Sequence, residues 1–455
     1  MTTPICDFVR RYAQSGTARL HMPGHKGTGP LGCEALDITE ISGADDLADP
    51  EGIIEESEAN ASALFGSRRT LYSAGGSSQC VKAMVHLALL HRPAGTEPVI
   101  LAGRNAHKAF LHACALLDVT PQWLYPDAES SLCACPITAE GLETALSTAE
   151  RRPMAVYLTS PDYLGGMLDI AALSAVCRAH GVPLLVDNAH GAYLKFLPHP
   201  AHPLDLGAAL CCDSAHKTLP VLTGGAYLHI GKDALAPYEA DARECLALFG
   251  SSSPSYLILQ SLDYCNARLA GDFPAQLVET CRKVEALKTH LREQGIPLRG
   301  TEPMKIVVDA AAGGLDGREL AEILRRHGVE PEYADPDALV LMPAADTPEA
   351  DLVRVEEALS SVVLGTPRLP LALPHAGRQV LTPRQAMLSP REHVAAEAAA
   401  GRVCAGAAVS CPPAIPIAVM GEEITRSGAD LMARLGITQV PVVRKAQSFF
   451  RQTFP

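Results

Sequence analysis

Aromatic residues and positive charge are both scarce in this sequence of 455 residues. Phe, Trp and Tyr make up 5% of the chain, with a single Trp, so the core must be aliphatic. Lys and Arg number 38 against 51 Asp and Glu, which gives a net charge of −13. This balance argues against nucleic acid or an anionic membrane as the main partner, because phosphate binding depends on Lys and Arg contacts.

Long apolar runs are missing as well. No stretch of eighteen uninterrupted apolar residues occurs, which argues against a transmembrane helix. The first thirty residues contain no apolar run typical of a signal peptide, so we expect a cytoplasmic protein. Its 14 cysteines should then be free thiols that serve as small core residues.

What the sequence does contain is an alternation of short apolar strands and amphipathic helices, between about Thr70 and Asn266. Strands are predicted at Pro98–Ala102, Met154–Thr159, Val182–Asp187 and Ala208–Asp213, and helices near Ser77–Leu90, His107–Leu117 and Leu168–His180. This pattern is typical of an α/β protein with a mostly parallel sheet. Functional groups are then expected at the carboxyl ends of the strands.

The rest of the chain divides into further units. Helices are predicted near Ser255–Leu269 and Ala275–Glu293, followed by a smaller α/β unit with strands Met304–Asp309 and Ala338–Met342 and helices Gly317–His327 and Pro348–Leu359. The Pro-rich stretch Gly365–Ala376 is predicted as a linker and Thr382–Gly401 as a helix. We therefore expect an N-terminal arm (1–60), a large domain (61–270), a small α/β domain (271–364), and a linker with a C-terminal domain (365–455).

Two strand ends carry residues suited to pyridoxal 5'-phosphate (PLP) chemistry. Lys217 follows the apolar strand that ends in Cys211-Cys212-Asp213, and a partly desolvated lysine has the nucleophilic amine that a Schiff base requires. Asp187 ends the preceding strand, where a carboxylate could pair with the protonated pyridine nitrogen of PLP. Taken alone, a lysine after a strand is usually a surface residue and an aspartate there is usually a cap or turn residue.

A third segment strengthens that interpretation. Gly75-Gly76-Ser77-Ser78 precedes an apolar helix, and backbone amides with two hydroxyls at a helix N-terminus can hold a phosphate. By itself it would more often be an N-cap. The order of phosphate turn, aspartate and lysine, each at an expected strand–helix junction, is what favours a PLP site.

The sequence resembles the Orn/Lys/Arg decarboxylases, PLP enzymes of the aspartate-aminotransferase fold type. The motifs that carry the resemblance are spread over most of the chain, with only the small domain weakly marked. They are His21-Met22-Pro23-Gly24-His25-Lys26-Gly27, Asp37 to Gly43, Asp45-Asp46-Leu47, Pro50-Glu51-Gly52, Arg104 to Lys108, Thr159-Ser160-Pro161, Asp187 to Gly191, Ser214 to Thr223, Ser253 to Tyr256, Cys411 to Pro416 and Gly421-Glu422. The expected fold is therefore α/β, PLP-dependent transferase fold type I.

The resemblance also implies roles for individual residues. Lys217 would form the Schiff base, Asp187 would bind the pyridine nitrogen, and His107 would stack on the ring. The catalytic set would be Lys217, Asp187, His107 and His216, and the cofactor would be surrounded by Gly76, Ser77, Ser78, His107, Asp187, Ala189, His190, Ser214, His216 and Lys217. Lys217 or His216 would return a proton to Cα after carbon dioxide leaves. No metal site is predicted, because Cys133-x-Cys135 lacks a second ligand pair.

The expected activity is decarboxylation of arginine, lysine or ornithine to the corresponding amine. The distal cation of such a substrate needs a carboxylate partner, for which Asp45, Asp46 and Glu422 are candidates, while His25 and Lys26 are expected near the site at a dimer interface. Because the chain begins almost directly at the motif of His25, we expect a short form without the N-terminal wing domain of the family's larger members, and a homodimer rather than a larger ring.

Several positions depart from the family pattern. Asn188 stands where Glu is usual, Tyr193 where His is common, and Gly224 where Gln is frequent. Ala414 and Met420 likewise replace a usual Gly and Pro. A catalytically impaired PLP-binding regulator therefore stays as an alternative. An aminotransferase or aldolase-type lyase of the same fold stays as another, because decarboxylation is expected from the resemblance alone.

Overall fold

The N-terminal arm packs on the large domain. The computed structural model describes residues 1–126, 134–372, 376–409 and 416–445. Helix α1 (Pro4–Gln14) leads through a long segment with one 3-10 turn (Glu34–Leu36) to α2 (Ile53–Phe65). Ile5 and Val9 of α1 share a buried cluster with Tyr72 and Tyr256, so the arm is part of the large domain's core.

A seven-stranded sheet forms the centre of the large domain. Its strands are β1 (Arg69–Ser73), β2 (Val99–Gly103), β3 (Thr120–Leu124), β4 (Ala155–Thr159), β5 (Leu184–Asp187), β6 (Leu210–Asp213) and β7 (Ala226–Ile230). They lie in the order β1-β7-β6-β5-β4-β2-β3, and β7 is antiparallel to both of its neighbours while the other pairs are parallel. The four predicted strands and the mostly parallel α/β sheet are confirmed.

Helices cover both faces of this sheet. They are α3 (Ser77–Leu90), α4 (Lys108–Leu117), α5 (Ala139–Thr148), α6 (Ile170–Ala179), the short α7 (Ala215–Thr218) and α8 (Ala236–Ala247). Strand residues alternate between the two faces: Leu185 packs with α3, α4 and α8, while Leu184 and Val186 pack with α5 and α6. Burial on both faces explains why these strands are continuous apolar runs in the sequence.

A smaller α/β unit follows two long helices. Its elements are α9 (Tyr256–Ala270), α10 (Phe273–Glu293), β8 (Leu298–Arg299), β9 (Ile306–Asp309), α11 (Gly317–Arg326), β10 (Tyr333–Ala334), β11 (Ala338–Leu341) and α12 (Glu349–Ser360). The four strands form an antiparallel sheet in the order β10-β11-β9-β8. It has a separate core, in which Val284, Ile306, Leu339 and Val355 take part.

The C-terminal unit differs from its prediction. Its elements are α13 (Pro383–Leu388), β12 (Arg391–Ala395), β13 (Ala408–Val409), β14 (Ala418–Val419), α14 (Arg426–Arg434) and β15 (Gln439–Val443). The helix predicted over Thr382–Gly401 is wrong beyond Leu388, because Pro390 cannot continue it and Arg391–Ala395 pairs with β15 instead. Residues 411–415 of the motif Cys411 to Pro416 lie outside the described residues.

The predicted unit boundaries stay predictions. The first of them, between residues 60 and 61, falls inside α2. The described residues of the stretch 365–376 carry neither helix nor strand. Twelve of the cysteines are seen as free thiols, and within the described ranges no helix is both long and apolar enough to span a bilayer.

Candidate active site

The carboxyl ends of neighbouring parallel strands bring the predicted residues to one edge of the sheet. Asp187 is the last residue of β5, and Asp213 ends the adjacent β6, which runs directly into α7 with Lys217. His107 follows β2 and caps α4. Loops at this edge of an open α/β sheet form the usual ligand crevice.

Lys217 is a half-buried amine with a histidine partner. Its Nζ lies 2.9 Å from Nε2 of His190. Burial lowers the pKa of Lys217, although the carboxylates of Asp187 and Glu332 act in the opposite direction. A lysine with a lowered pKa is more often neutral and therefore more nucleophilic.

His190 is held as a neutral imidazole. Only 6% of the residue is exposed, and burial, followed by the nearby Lys305 and Lys217, holds the pKa of His190 well below its usual range. Its ring packs edge-on against Tyr163, with centroids 5.0 Å apart. A neutral imidazole here can exchange a proton with the Lys217 amine at their shared hydrogen bond.

The Asp187 carboxylate is buried and fixed in orientation. It is 3% exposed. Tyr157 donates its hydroxyl to Oδ2 at 2.8 Å, and the amide of Ala189 donates to Oδ1 at 3.2 Å. The Cys212 thiol also donates to Oδ1, at 3.6 Å. The carboxylate therefore has one orientation in which to meet a ring nitrogen.

His107 belongs to the same cluster. Its Nδ1 accepts a hydrogen bond from the amide of Ala109 at 3.2 Å, which fixes the ring as the N-cap of α4. Burial lowers the pKa of His107, with the charges of Asp187 and Lys217 acting on it in opposite directions. A fixed, neutral ring close to both charges is suited to stacking on a flat aromatic ligand.

The start of α3 forms an open cradle beside α7. Gly76 has a φ of +71° and no side chain caps the helix. Nothing lies within 4 Å of the position that a Cβ would take at Gly76. Ser214 donates its hydroxyl to Oγ of Ser77 at 2.6 Å, and Ser78 follows in the first turn. An uncapped helix start with hydroxyls is a site for a phosphate, so the residues present fit PLP.

His216 is bound to the backbone of the segment that leads into β7. Its backbone amide and its ring Nδ1 both donate to the carbonyl of Gly225, at 3.3 and 3.0 Å. The ring therefore supports the turn between β6 and β7. The histidine in contact with Lys217 is His190, which was expected around the cofactor but not in the catalytic set.

The chain's resemblance to known proteins agrees with this geometry. Residues 3–306 match the sequence profile "Orn/Lys/Arg decarboxylase, major domain". The chain belongs to this family. YaaO of Bacillus subtilis, a protein described as uncharacterized, is 30% identical over 96% of this chain and 94% of its own length. The arginine decarboxylase of Bacillus subtilis is 27% identical over 93% and 91%.

The fold is shared with solved decarboxylases. The crystal structure of the Francisella novicida lysine decarboxylase LdcF has a TM-score of 0.79 at 17% identity, covering 97% of this chain and 81% of that one. The predicted fold type I is confirmed. As a member of the Orn/Lys/Arg decarboxylase family, the protein is a PLP-dependent decarboxylase.

The small domain supplies two charged residues that the sequence did not reveal. Lys305, which directly precedes β9, donates its Nζ to the carbonyl of Asp162 at 2.9 Å and lies 5.8 Å from the centre of the Tyr163 ring. Burial lowers the pKa of Lys305 to about 8. Glu332 accepts a hydrogen bond from the hydroxyl of Tyr163. In the sequence both residues lie beside short strands, and no motif or spacing indicates that they are close to Lys217.

The structure gives Asp45 and Asp46 local contacts. The carboxylate of Asp45 accepts hydrogen bonds from the backbone amides of Asp46, Glu51, Gly52 and Ile54, at the start of α2. Asp46 is exposed and accepts from the amide of Ala48. Neither contact brings a carboxylate to Lys217.

His25 and Lys26 also make contacts within the arm. The His25 ring lies 3.2 Å from the carboxylate of Asp37, and Lys26 donates its amine to the carbonyl of His21 at 2.5 Å. Lys26 is exposed and has a φ of +55°. Within a single chain these residues are not part of the Lys217 cluster.

Glu422 is bound to an arginine inside the protein. Its two carboxylate oxygens accept from the guanidinium of Arg104, each at 2.7 Å, and the two residues are 2% and 1% exposed. The guanidinium also lies 4.9 Å from the Trp123 ring. Because Arg104 starts the turn that ends at His107, Glu422 ties the C-terminal unit to the site rather than facing a substrate.

Proposed function

We propose that this decarboxylase acts on a basic amino acid, arginine first, with PLP held between Lys217 and Asp187. The observation that carries the proposal is the half-buried contact of 2.9 Å between Lys217 Nζ and His190 Nε2. It lies at the edge of the sheet where β5 ends in Asp187. Bound PLP supplies the electron sink for the bond between Cα and the carboxylate.

The chain's own residues have separate tasks in this proposal. Lys217 would hold the cofactor through its amine, in a form that a substrate amine can displace. Asp187 keeps a proton at the ring nitrogen, and His107 stacks on the ring. The phosphate is held by Gly76, Ser77, Ser78 and Ser214. Ala189 lies beside the ring, and His216 supports the turn between β6 and β7. His190 takes up or returns the proton of the Lys217 amine.

The choice of arginine rests on the relatives and on one carboxylate. Arginine decarboxylases match this chain along nearly its whole length and their own. After Asp187, Glu332 is the carboxylate whose charge acts most on Lys217, and it is exposed at the side of Tyr163. A cationic substrate end needs such a partner, so we assign Glu332 to the distal guanidinium.

We also propose a homodimer in the cytoplasm. The arm segment with His25 and Lys26 exposes Leu20 and Leu31, at 94% and 80%, which a second copy of this chain would cover. Light scattering on the purified protein tests this assembly directly. A monomer at working concentrations would contradict it.

The experiment for the activity is a cofactor and product assay. The protein is loaded with PLP, its visible absorbance is recorded, and carbon dioxide release is measured with arginine, lysine and ornithine. We expect a band of lysine-bound cofactor and release that is fastest with arginine. Lys217→Ala should lose both, while Lys232→Ala, which changes an exposed lysine, should keep both.

Other outcomes overturn the proposal in defined ways. Amino-group transfer to a keto acid without carbon dioxide would show an aminotransferase, and retro-aldol cleavage would show a lyase of another kind. A band without turnover of any amino acid would show a PLP-binding regulator. Activity that survives in Lys217→Ala would remove Lys217 from its role.

A further inference from the structure

A second buried carboxylate lies beside the cofactor residues and has no role in the reaction described so far. Asp213 is 0% exposed. Its Oδ2 lies 3.0 Å from Nε2 of His202 and 3.0 Å from Nε2 of His229. Its Oδ1 accepts a hydrogen bond of 2.7 Å from Nδ2 of the Asn188 side chain.

The surrounding groups fix the protons of this network. Nδ1 of His202 accepts from the backbone amide of Leu204, so a neutral His202 carries its proton on Nε2 and donates it to Asp213. Burial lowers the pKa of His229. Burial also opposes ionisation of Asp213, but the two imidazoles outweigh it and hold the pKa of Asp213 below its usual range. Asp213 is therefore an ionised carboxylate with three N–H donors.

The same protons argue against a metal ion. His202, Cys211 and Asp213 are close enough to ligate one. A metal needs the free lone pair of a histidine nitrogen, and Nε2 of His202 carries a proton instead. Burial, followed by the charge of Asp213, also raises the pKa of the Cys211 thiol far above its usual range, which keeps it from being a thiolate ligand.

The position of the network relates it to the cofactor. Asn188 directly follows Asp187, and Asp213 directly precedes Ser214 and the turn with Lys217. Strands β5 and β6 pair in parallel with Asp187 opposite Cys212. The bond from Asn188 to Asp213 therefore joins the two strand ends just where the two cofactor residues leave the sheet.

The departure at position 188 fits this bond. A glutamate, which is usual there in the family, has no N–H to donate and would bring a second carboxylate into the buried surroundings of Asp213. Two buried like charges in contact are strongly unfavourable. The amide of Asn188 supplies the donor that an ionised Asp213 requires.

We propose that Asn188 and Asp213 are a positioning pair that holds Asp187 in register with Lys217 and so sets the affinity for PLP. The proposal rests on the assignment of Asp187 and Lys217 to PLP in the proposed function. The pair touches neither substrate nor cofactor, and it acts through the strand ends.

The test exchanges donor and acceptor. Asn188→Asp places two carboxylates in contact, and Asp213→Asn removes the charge while keeping the shape. The double variant Asn188→Asp with Asp213→Asn restores one donor facing one acceptor, with the amide oxygen of the new side chain still available to His202 and His229. The matched control is Asn266→Asp, since Asn266 is an equally buried amide whose bonds go to Ser57 and Tyr72.

The measurements are the PLP affinity of the apo-protein, the pH dependence of the visible cofactor band, and the melting temperature of the apo-protein. Loss of a charge-assisted buried hydrogen bond should weaken PLP binding about tenfold or more in each single variant. The double variant should recover most of that affinity. Asn266→Asp should lower the melting temperature without changing the cofactor band.

Asp213→Asn keeps the test decisive if Asn188→Asp does not fold. The proposal is overturned if the single variants lower only the melting temperature, if the double variant binds PLP no better than Asn188→Asp, or if stoichiometric metal is found in the purified protein. None of these readouts depends on which amino acid is decarboxylated. A wild type that binds no PLP at Lys217 would instead defeat the proposed function.

Discussion

Nζ of Lys217 lies 2.9 Å from Nε2 of His190, and His190 in turn packs edge-on against Tyr163 at 5.0 Å. The reactive amine of the large domain is thus connected through one histidine and one tyrosine to Glu332 of the small domain. A substitution in the small domain can therefore affect the Lys217 amine without altering the sheet of the large domain.

Replacing His190 should slow turnover more than it weakens substrate binding. His190→Gln keeps a hydrogen-bonding group but cannot exchange a proton, so we expect kcat to fall about a hundredfold, the usual contribution of a general acid–base group. KM should change little. Steady-state kinetics with carbon dioxide release measures both. His180→Gln is the control, because His180 pairs with Glu143 near the surface, and an unchanged kcat in His190→Gln would contradict the prediction.

Replacing Glu332 should weaken binding of a cationic substrate. Glu332→Gln removes a charge from a solvent-exposed position, where an ion pair contributes up to about 1 kcal/mol, so we expect KM for arginine to rise about fivefold. The effect should shrink at high salt. Glu330→Gln is the matched control, since Glu330 lies close by in the sequence but pairs with Arg325. Equal KM values for wild type and Glu332→Gln would remove Glu332 from the substrate site.

Replacing Glu422 should lower the free energy of unfolding. Glu422→Gln leaves the buried guanidinium of Arg104 without its charge partner, which typically costs about 3–5 kcal/mol. Urea unfolding measures that loss. The double variant Arg104→Met with Glu422→Met should be less destabilised, because no charge stays buried. Unchanged stability with a raised KM would instead favour Glu422 as the partner of the substrate's distal cation.

The free energy of unfolding should fall as the pH rises from 4 to 7, because Asp162 loses its proton in the folded protein. Burial raises the pKa of Asp162 to about 6, against about 3.9 for an ordinary aspartate. The folded state therefore holds a proton that the unfolded state has lost, so this stabilisation is present below about pH 4 and disappears as the pH rises through 6. At about 1.4 kcal/mol per unit the change is on the order of 3 kcal/mol.

Asp162→Asn should lack this pH dependence. An asparagine can still accept the hydrogen bond that Gly166 donates to Asp162, so its folded structure should be kept. The measurement is the difference in unfolding free energy between wild type and variant across that pH range. A difference that stays constant at every pH would show that Asp162 does not titrate as described.

The sheet and the main cofactor residues could be predicted because their signals are local. An apolar run buried on both faces predicts a strand, and the polar residue that ends it, such as Asp187, marks the functional edge. Lys217 follows the same logic one strand further. His107 was predicted only from the resemblance, since an N-cap histidine has no signal of its own.

The contacts that the sequence did not show are all between distant parts of the chain. Glu422 meets Arg104 across 318 positions, and Lys305 reaches the carbonyl of Asp162 across 143. No periodicity or spacing encodes such pairs. The helix predicted after Thr382 was wrong for a different reason: Pro390 ends it, and the pairing with β15 depends on residues near the far end of the chain.

The ion pair between Arg104 and Glu422 also limits how this chain can be recombined. A unit that is attached only by exposed contacts can be exchanged or removed as a module. Here removal of the C-terminal unit would leave a buried cation three residues before His107. Residues 104 and 422 must therefore change together, in evolution as in protein engineering. Chimaeras of this enzyme will need both residues from the same parent.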